Sequence, residues 1–582
     1  MRIFRDSLMF LLIAAIFVAF LGWPIYQTVR VGFQGVASAT GTYGKPTFAY
    51  VQAVFEDPLL RDGLLHSVMI AICVTLFCTL VSVPLALLSR RYDFWGKGLV
   101  NGLLLVPLIL PPFVGAIGMR QILGRFGVLT AVATRAGFIP PNSPVNWFGS
   151  AQILGVILVE TLSLYPILFL NVSAALANLD PAMEQAAANL GAKKWTIFRR
   201  ITLPLMRPGL FAGGTIVLIW SFTELGTPLM FDYYKVTPVQ IFASIGQVNA
   251  NPLPYALTVI MLLGSAMLYF VGKFVLGRRL DASVTKASTQ SNARKLGFFG
   301  SIPVLLPFLL VSGCALLPHI GVVLTSISKV GAWYDSAVPR AFTDQHYVAA
   351  LSSEVTLPAV RRSIEYASLS TIVDLVLGIM IAFLIVRSRL PGFLKQTIDS
   401  LSMLPLAVPG LVMAFGYLAI SARLQVRFAD TRWLRNLVDI HENPTMLLVV
   451  AYAMRRLPYV VRSAVAGLEQ TPVDLELAAR NLGAGTGMTL RRVTLPLISA
   501  NLLAGGLLAF AFAMLEVSDS LILAQKQDYW PITLGIYQLF QRLGDGPYIA
   551  SALGVWAMVL LTLTILSANS LLGKRMGAIF RV

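Results

Sequence analysis

Glu224, in SFTELGTPLM, and Glu516, in AMLEVSDSLI, each stand inside a long apolar run, and they are 292 residues apart. A carboxylate in a membrane-crossing segment is costly to keep, and its presence points to a polar path, a relay or a charge pair. The pair therefore reads as lining a central path or holding a gate near the outer part of two spans. The competing reading places both at the outer interface, tied to arginine or backbone. Glu160 and Asp374 also lie in apolar runs but recur at no fixed offset, and they read as structurally paired.

Other chemistries find no support. A phosphate-binding loop needs G-x-x-x-x-G-K-[ST]. The Gly-Lys pairs at 44–45, 96–97, 272–273 and 573–574 all lack the following Ser or Thr. Any ATP used must then be hydrolysed elsewhere, so the chain is expected not to be an enzyme and to bind no cofactor of its own. His66, His319, His346 and His441 have no ligand spacing, and no metal site is expected. Cys73, Cys78 and Cys314 all fall in apolar stretches and read as small buried hydrophobes.

The elements that must position the carboxylates follow from composition. The chain has 582 residues, 57% hydrophobic and only 12% charged. A soluble protein carries about 25% charged residues, so a soluble enzyme is excluded. A helix needs about 20 apolar residues to cross a bilayer. Twelve such blocks can be read: 8–28, 64–89, 98–119, 151–173, 209–230 and 253–276, then 299–326, 363–386, 397–421, 444–466, 500–524 and 549–572. The tenth is weakened by Arg455, Arg456 and Arg462 in its later part. The fold class expected is all-α and polytopic, in two pseudo-symmetric six-span halves.

The net charge of +18 does not imply nucleic acid, because the basic residues collect in alternate connections, as the positive-inside rule requires. Arg2 and Arg5 precede the first block, which reads on through Trp23 and Pro24 without a cleavage site, as an uncleaved anchor. Both termini are expected in the cytoplasm of a bacterial inner membrane. Trp23, Trp95 and Trp147, at block ends, fit interface belts.

The chain is also an internal repeat. Residues 184–204, EQAAANLGAKKWTIFRRITLP, match residues 476–496, ELAARNLGAGTGMTLRRVTLP, at the same 292 offset as the glutamates. Pro107 and Pro111 match Pro405 and Pro409 at 298, and they either bend spans three and nine during a transport cycle or kink them permanently. The division expected is a first half, 1–280, with core 64–276 and loop 180–206. A polar linker follows at 281–297, then a second half, 298–582, with core 363–572 and loop 471–498. Asp180-Pro181 and Thr471-Pro472 supply a capping side chain ahead of a first-turn proline, with Asp474 completing a variant capping box in the second copy. Gly191 and Gly483 can end the short alanine-rich helix in the left-handed conformation. A second helix then carries paired arginines, and Pro204 or Pro496 opens the next span.

That doubled loop resembles the signature of binding-protein-dependent ABC importer permeases: Ala186-Ala187, Gly191, Ile201, Leu203-Pro204, and Ala478-Ala479, Gly483, Val493, Leu495-Pro496. The signature's acidic position holds Gln185 and Leu477 here, with Glu184 and Glu476 one residue earlier. The second loop has Gly485-Thr486-Gly487 where the first has Lys193-Lys194-Trp195, so the two contacts are expected to differ. The resemblance implies that the loops dock two copies of an ABC ATPase subunit, that a solute-binding protein delivers cargo at the outer face, and that the halves rock in alternating access. A fused pair with ELGTPLMF and WPITLGIYQLF looks most like ferric-iron permeases, with phosphonate, thiamine, polyamine and sugar-phosphate open. A secondary transporter with internal repeats would have no use for duplicated docking loops, and a membrane enzyme would need a catalytic cluster that is missing.

Overall fold

The computed structural model describes residues 2–35, 45–109, 111–140, 145–149, 152–177, 179–248, 251–276, 293–334, 336–428, 430–431 and 439–572. Among them, nine helices are long and apolar enough to cross a membrane: Phe4–Gly32, Pro58–Arg91, Ile153–Ala177, Lys194–Phe222, Leu253–Phe274, Phe298–Ile327, Thr356–Val386, Thr486–Met514 and Gly546–Thr564. Two further spans are bent pairs, Lys97–Leu108 with Pro112–Arg135 at 99°, and Gly392–Leu406 with Gly410–Arg427 at 96°. Thr445–Gln470 is equally long; its arginines lower its hydropathy, and its buried face absorbs two of them. The protein is an all-α polytopic membrane protein of two related halves.

Several sequence boundaries are corrected. Spans three and nine, expected over 98–119 and 397–421, turn a near right angle at their proline motifs, far more than a kink. Each has a short 3-10 turn at the corner, Val106–Ile109 and Leu404–Leu406, followed by Pro111 or Pro409 in extended conformation. Proline at these points cannot donate to the helix ladder, so the ladder restarts in a new direction.

Spans five and eleven do not begin after Pro204 and Pro496. Each helix starts in the loop, at Lys194 or Thr486, and runs through the proline. A π-helical turn makes this possible, Phe198–Thr202 in one copy and Leu490–Thr494 in the other. Leu203 N–H reaches back five residues to the Phe198 carbonyl, and this wider turn relieves the clash between the proline ring and the carbonyl four residues before it. The same device, Val18–Gly22, precedes Trp23-Pro24 in span one.

The two halves exchange helices, which nothing in the repeat announced. Span one packs on the Gly410–Arg427 helix of the other half. There Thr28 donates to the Val412 carbonyl at 3.1 Å and Tyr417 to the Phe20 carbonyl at 2.6 Å. A Cβ at Gly416 would lie 2.4 Å from the Pro24 carbonyl oxygen. Span seven crosses the Pro112–Leu123 helix in the same way, a Cβ at Gly118 lying 2.2 Å from the Pro318 carbonyl oxygen. Glycine at both crossings lets backbones meet.

Of the linker, 281–292 lies outside the described residues; Arg294–Lys295 pairs in parallel with Tyr92–Asp93. The C-terminal 573–582 also lies outside them. The cysteines are corrected in part: Cys78 is buried, Cys73 half-buried, but Cys314 is exposed on its apolar helix.

Candidate functional site

At one end of the bundle stand the two repeated loops. Their alanine-rich helices are Pro181–Asn189 and Val473–Asn481. In the first, Asp180 Oδ1 accepts from Ala182 N–H at 2.9 Å, as a cap should. The second differs from expectation, because Pro472 is the cap residue and has no side-chain bond. Thr471 instead donates back to the Gly467 carbonyl of the preceding helix at 2.9 Å. Gly191 (φ +79°) and Gly483 (φ +89°) are both left-handed. The N–H groups of Ala192 and Ala484 return to the carbonyls of Ala187 and Ala479, each at 3.0 Å, which closes each helix in a Schellman turn. The alanines at 186 and 478 accept from the N–H of Leu190 and Leu482.

Glu184 and Glu476 point inward as staples. Arg90, at the end of span two, meets Glu184 at 3.4 Å, and Arg387, at the end of span eight, meets Glu476 at 3.1 Å. Thr202 also donates to Glu184 at 2.5 Å, and Arg387 adds bonds to the carbonyls of Leu468 and Thr471 at 2.9 and 2.7 Å. With the glutamates turned inward, the outward apex of each loop is a leucine that sequence reasoning passed over: Leu190 and Leu482, each 89% exposed. They are equivalent at the 292 offset, and that coincidence of two bare leucines ahead of two left-handed glycines was the available signal. Leu203-Pro204 and Leu495-Pro496 lie behind the loops, just after the π-helical turns of the long helices.

Deeper in the bundle, both Glu224 and Glu516 line a single cavity of about 150 Å³ between the halves. Each sits where its span ends, after Phe222 and Met514, and before the short helices Gly226–Met230 and Ser518–Leu523. The spans expected over 209–230 and 500–524 are therefore broken helices, and the carboxylates occupy the breaks. Pro107 and Pro111 contribute to the same lining, whereas Pro405 and Pro409 border an adjoining recess beside Arg455 and Arg456.

The two walls of the cavity differ. On the second-half wall, Arg455 Nη1 lies 2.5 Å from Glu516 Oε1 and 3.2 Å from Asp519 Oδ2, while Arg456 holds Glu516 Oε2. Arg456 also stacks over the Phe512 ring at 5.5 Å. On the first-half wall, Glu224 Oε1 accepts from Thr227, through N–H at 3.2 Å and the hydroxyl at 3.3 Å. Glu160 accepts from the Ser221 hydroxyl through Oε2; its Oε1 is buried without a partner. The 292 offset explains the difference: Ser163 and Leu164 stand where the second half has Arg455 and Arg456, and Thr227 stands in place of Asp519.

Three sequence readings change accordingly. Arg455, half-buried, and Arg456, buried, are partners of Glu516 in the middle of span ten. Glu160 joins the cavity lining, with one oxygen unpaired. Asp374 is fully buried in span eight, with neither oxygen hydrogen-bonded. The interface and cavity alternatives for the repeated glutamates merge, since Glu516 is arginine-paired and Glu224 backbone-bound, both at the cavity. No group of three or more His, Cys, Asp or Glu side chains gathers as a metal cage among the described residues.

A fused pair of helical halves with matched surface loops and a shared cavity is the plan of a transport permease. Residues 82–282 and 374–577 each match the family of binding-protein-dependent transport system inner membrane components, and the chain belongs to that family. It is 26% identical over 488 residues to a putative ferric transport system permease protein of Haemophilus influenzae, covering 82% of this chain and 71% of that one. To a ferric transport system permease protein of Actinobacillus pleuropneumoniae it is 26% identical over 536 residues, 90% of this chain and 72% of the other. A molybdenum transport system permease protein of Mycobacterium tuberculosis is 32% identical over 179 residues, 31% of this chain and 64% of its own.

Proposed function

We propose that the chain is the complete translocation unit of an ATP-driven importer whose cargo is ferric iron. The observation that carries this reading is the pair of equivalent loops, each stapled inward by an Arg–Glu pair and each presenting a bare leucine beside a left-handed glycine. Such a surface suits two copies of one ATPase subunit, which supply ATP hydrolysis that this chain does not perform. A solute-binding protein would load the opposite end, and the ferric permeases among its relatives favour iron over the organic solutes. ATP shifts the equilibrium between inward and outward cavities only through contacts that differ between those states, and the loops are the place for them. Both termini would face the cytoplasm, on the loop side of the inner membrane.

The test is reconstitution of the full chain with its ATPase and binding protein in proteoliposomes. ATP-dependent uptake of labelled ferric iron, lost in L190D and L482D along with ATPase co-purification, is the expected result. Uptake of a phosphonate, thiamine, polyamine or sugar-phosphate in place of iron would overturn the cargo. Normal ATPase association in the doubly substituted chain would overturn the docking assignment.

A further inference from the structure

The two walls of the central cavity carry unequal work. Three carboxylates line it, Glu160, Glu224 and Glu516, against two guanidiniums, Arg455 and Arg456, and Asp519 pairs with Arg455 from outside the lining. Both arginines are committed to Glu516 and Asp519 on their own wall. The second-half wall is therefore neutralised within itself, and its cations are not free for an incoming anion. The acidic excess falls wholly on the first-half wall. Glu160 and Glu224 line the same cavity, and neither has a basic partner among the ion pairs of the described residues.

Glu160 is the telling residue. It is 1% exposed and lines the cavity, yet Oε1 has no hydrogen bond. An unpaired buried carboxylate oxygen costs free energy unless something else satisfies it. In a transport path, an arriving ion can be that partner. The size of the space narrows the class further. A cavity of about 150 Å³ far exceeds the ~10–15 Å³ that one water needs, yet falls short of the ~300–1,000 Å³ of pockets for drug-sized organic ligands. It suits a small ion that keeps part of its water. Carboxylate and water oxygens are the ligands that hard cations prefer.

We propose that Glu160 and Glu224 form a transit site for a small hard cation on the first-half wall, and that the Arg455–Arg456–Glu516–Asp519 cluster is the fixed wall opposite. The site deepens the import reading above and rests on it for the cargo. Two carboxylates, short of the full shell that a dedicated metal site supplies, hold such an ion loosely, as a path requires: entry must be favourable and exit must remain easy. An oxyanion would find both guanidiniums already paired with carboxylates and only Arg456 Nε unbonded, which separates this cavity from one built for a tetrahedral anion.

Terbium(III), a hard trivalent ion, is a direct probe, because Trp220 lines the same cavity and can sensitise its emission. The purified full chain in lipid nanodiscs should show tryptophan-sensitised terbium emission. E160Q and E224Q should each weaken terbium binding by about tenfold or more by calorimetry, corresponding to about 1.4 kcal/mol, and the double substitution should abolish it. W220F should remove the emission, and molybdate should not compete. Monodisperse elution and an unchanged helical spectrum establish that the isosteric variants are folded. Unaltered terbium affinity in E160Q/E224Q, or emission that persists in W220F, would overturn the site. Iron uptake at the wild-type rate by reconstituted E160Q/E224Q would also overturn it, leaving the import reading standing. Terbium binding that depends on both glutamates, in a reconstituted wild type that imports no iron, would instead remove the cargo and retain the cation site.

Discussion

Replacing Arg387 with alanine should loosen the second loop far more than the equivalent change at Arg90 loosens the first. The side chains of Arg387 and Glu476 are only 8% and 5% exposed, whereas Arg90 and Glu184 are 16% and 20% exposed and their contact is longer. R387A strands a buried carboxylate, which costs about 3–5 kcal/mol, and it also frees the carbonyls of Leu468 and Thr471. R90A breaks a wetter pair, and Glu184 keeps the Thr202 hydroxyl, so about 1 kcal/mol is expected. Amide hydrogen exchange read peptide by peptide in nanodiscs measures both losses directly. Protection over 473–481 should fall by roughly two to four orders of magnitude in R387A, and over 181–189 by about tenfold or less in R90A. Adding E476A to R387A should restore much of the protection, because no buried charge is then left unpaired. Equal losses in the two loops, or a double variant no better than R387A, would refute the staple argument.

Other perturbations follow from the same geometry. G118A and G416A each drive a Cβ into a carbonyl oxygen of the crossing helix and should cost about 1–3 kcal/mol each. G214A meets nothing within 4 Å and should leave the thermal midpoint in detergent unchanged; equal midpoints for all three would contradict the crossings. E516Q leaves the buried Arg456 without its carboxylate and Arg455 with Asp519 alone, so denaturant unfolding should show a loss of about 3–5 kcal/mol, larger than that of E224Q, whose neighbours are a hydroxyl and an N–H. G191V and G483V force a β-branched residue to positive φ, at about 1–2 kcal/mol each, and should reduce ATPase association before they affect global stability.

Spans were legible because bilayer thickness imposes a length that composition reveals. The repeat was legible because glycine at 191 and 483 answers a conformational need that few other residues meet. Thr471 shows where local rules stop: its hydroxyl had two partners within reach, and the preceding helix won. The arginines of span ten counted against it because a window average sees charge and not its partner sixty residues later. Their role was nonetheless written in the repeat, as the two positions where Ser163 and Leu164 fail to match. The near right-angle corners at Pro107–Pro111 and Pro405–Pro409 were visible only as breaks, since proline tells where a ladder stops and packing decides where it resumes. The crossings of Gly118 and Gly416 had no sequence signature at all, for a glycine in an apolar run meets a tertiary need set by a helix far away in the chain.

The exchange of first helices has a consequence for how the protein is made. Thr28 leaves the ribosome early, yet its acceptor at Val412 is 384 residues downstream. Until then, the first helix must wait in the lipid without its seat, while the Pro112–Leu123 helix waits for the segment around Pro318. Neither half is finished when its own last residue is inserted; the first is completed by the second's opening helix, and the second by the chain's own beginning. A chain cut at the linker would yield two products that each lack a surface only the other can fill, so the fusion keeps both at the same place and in equal number while the bundle closes.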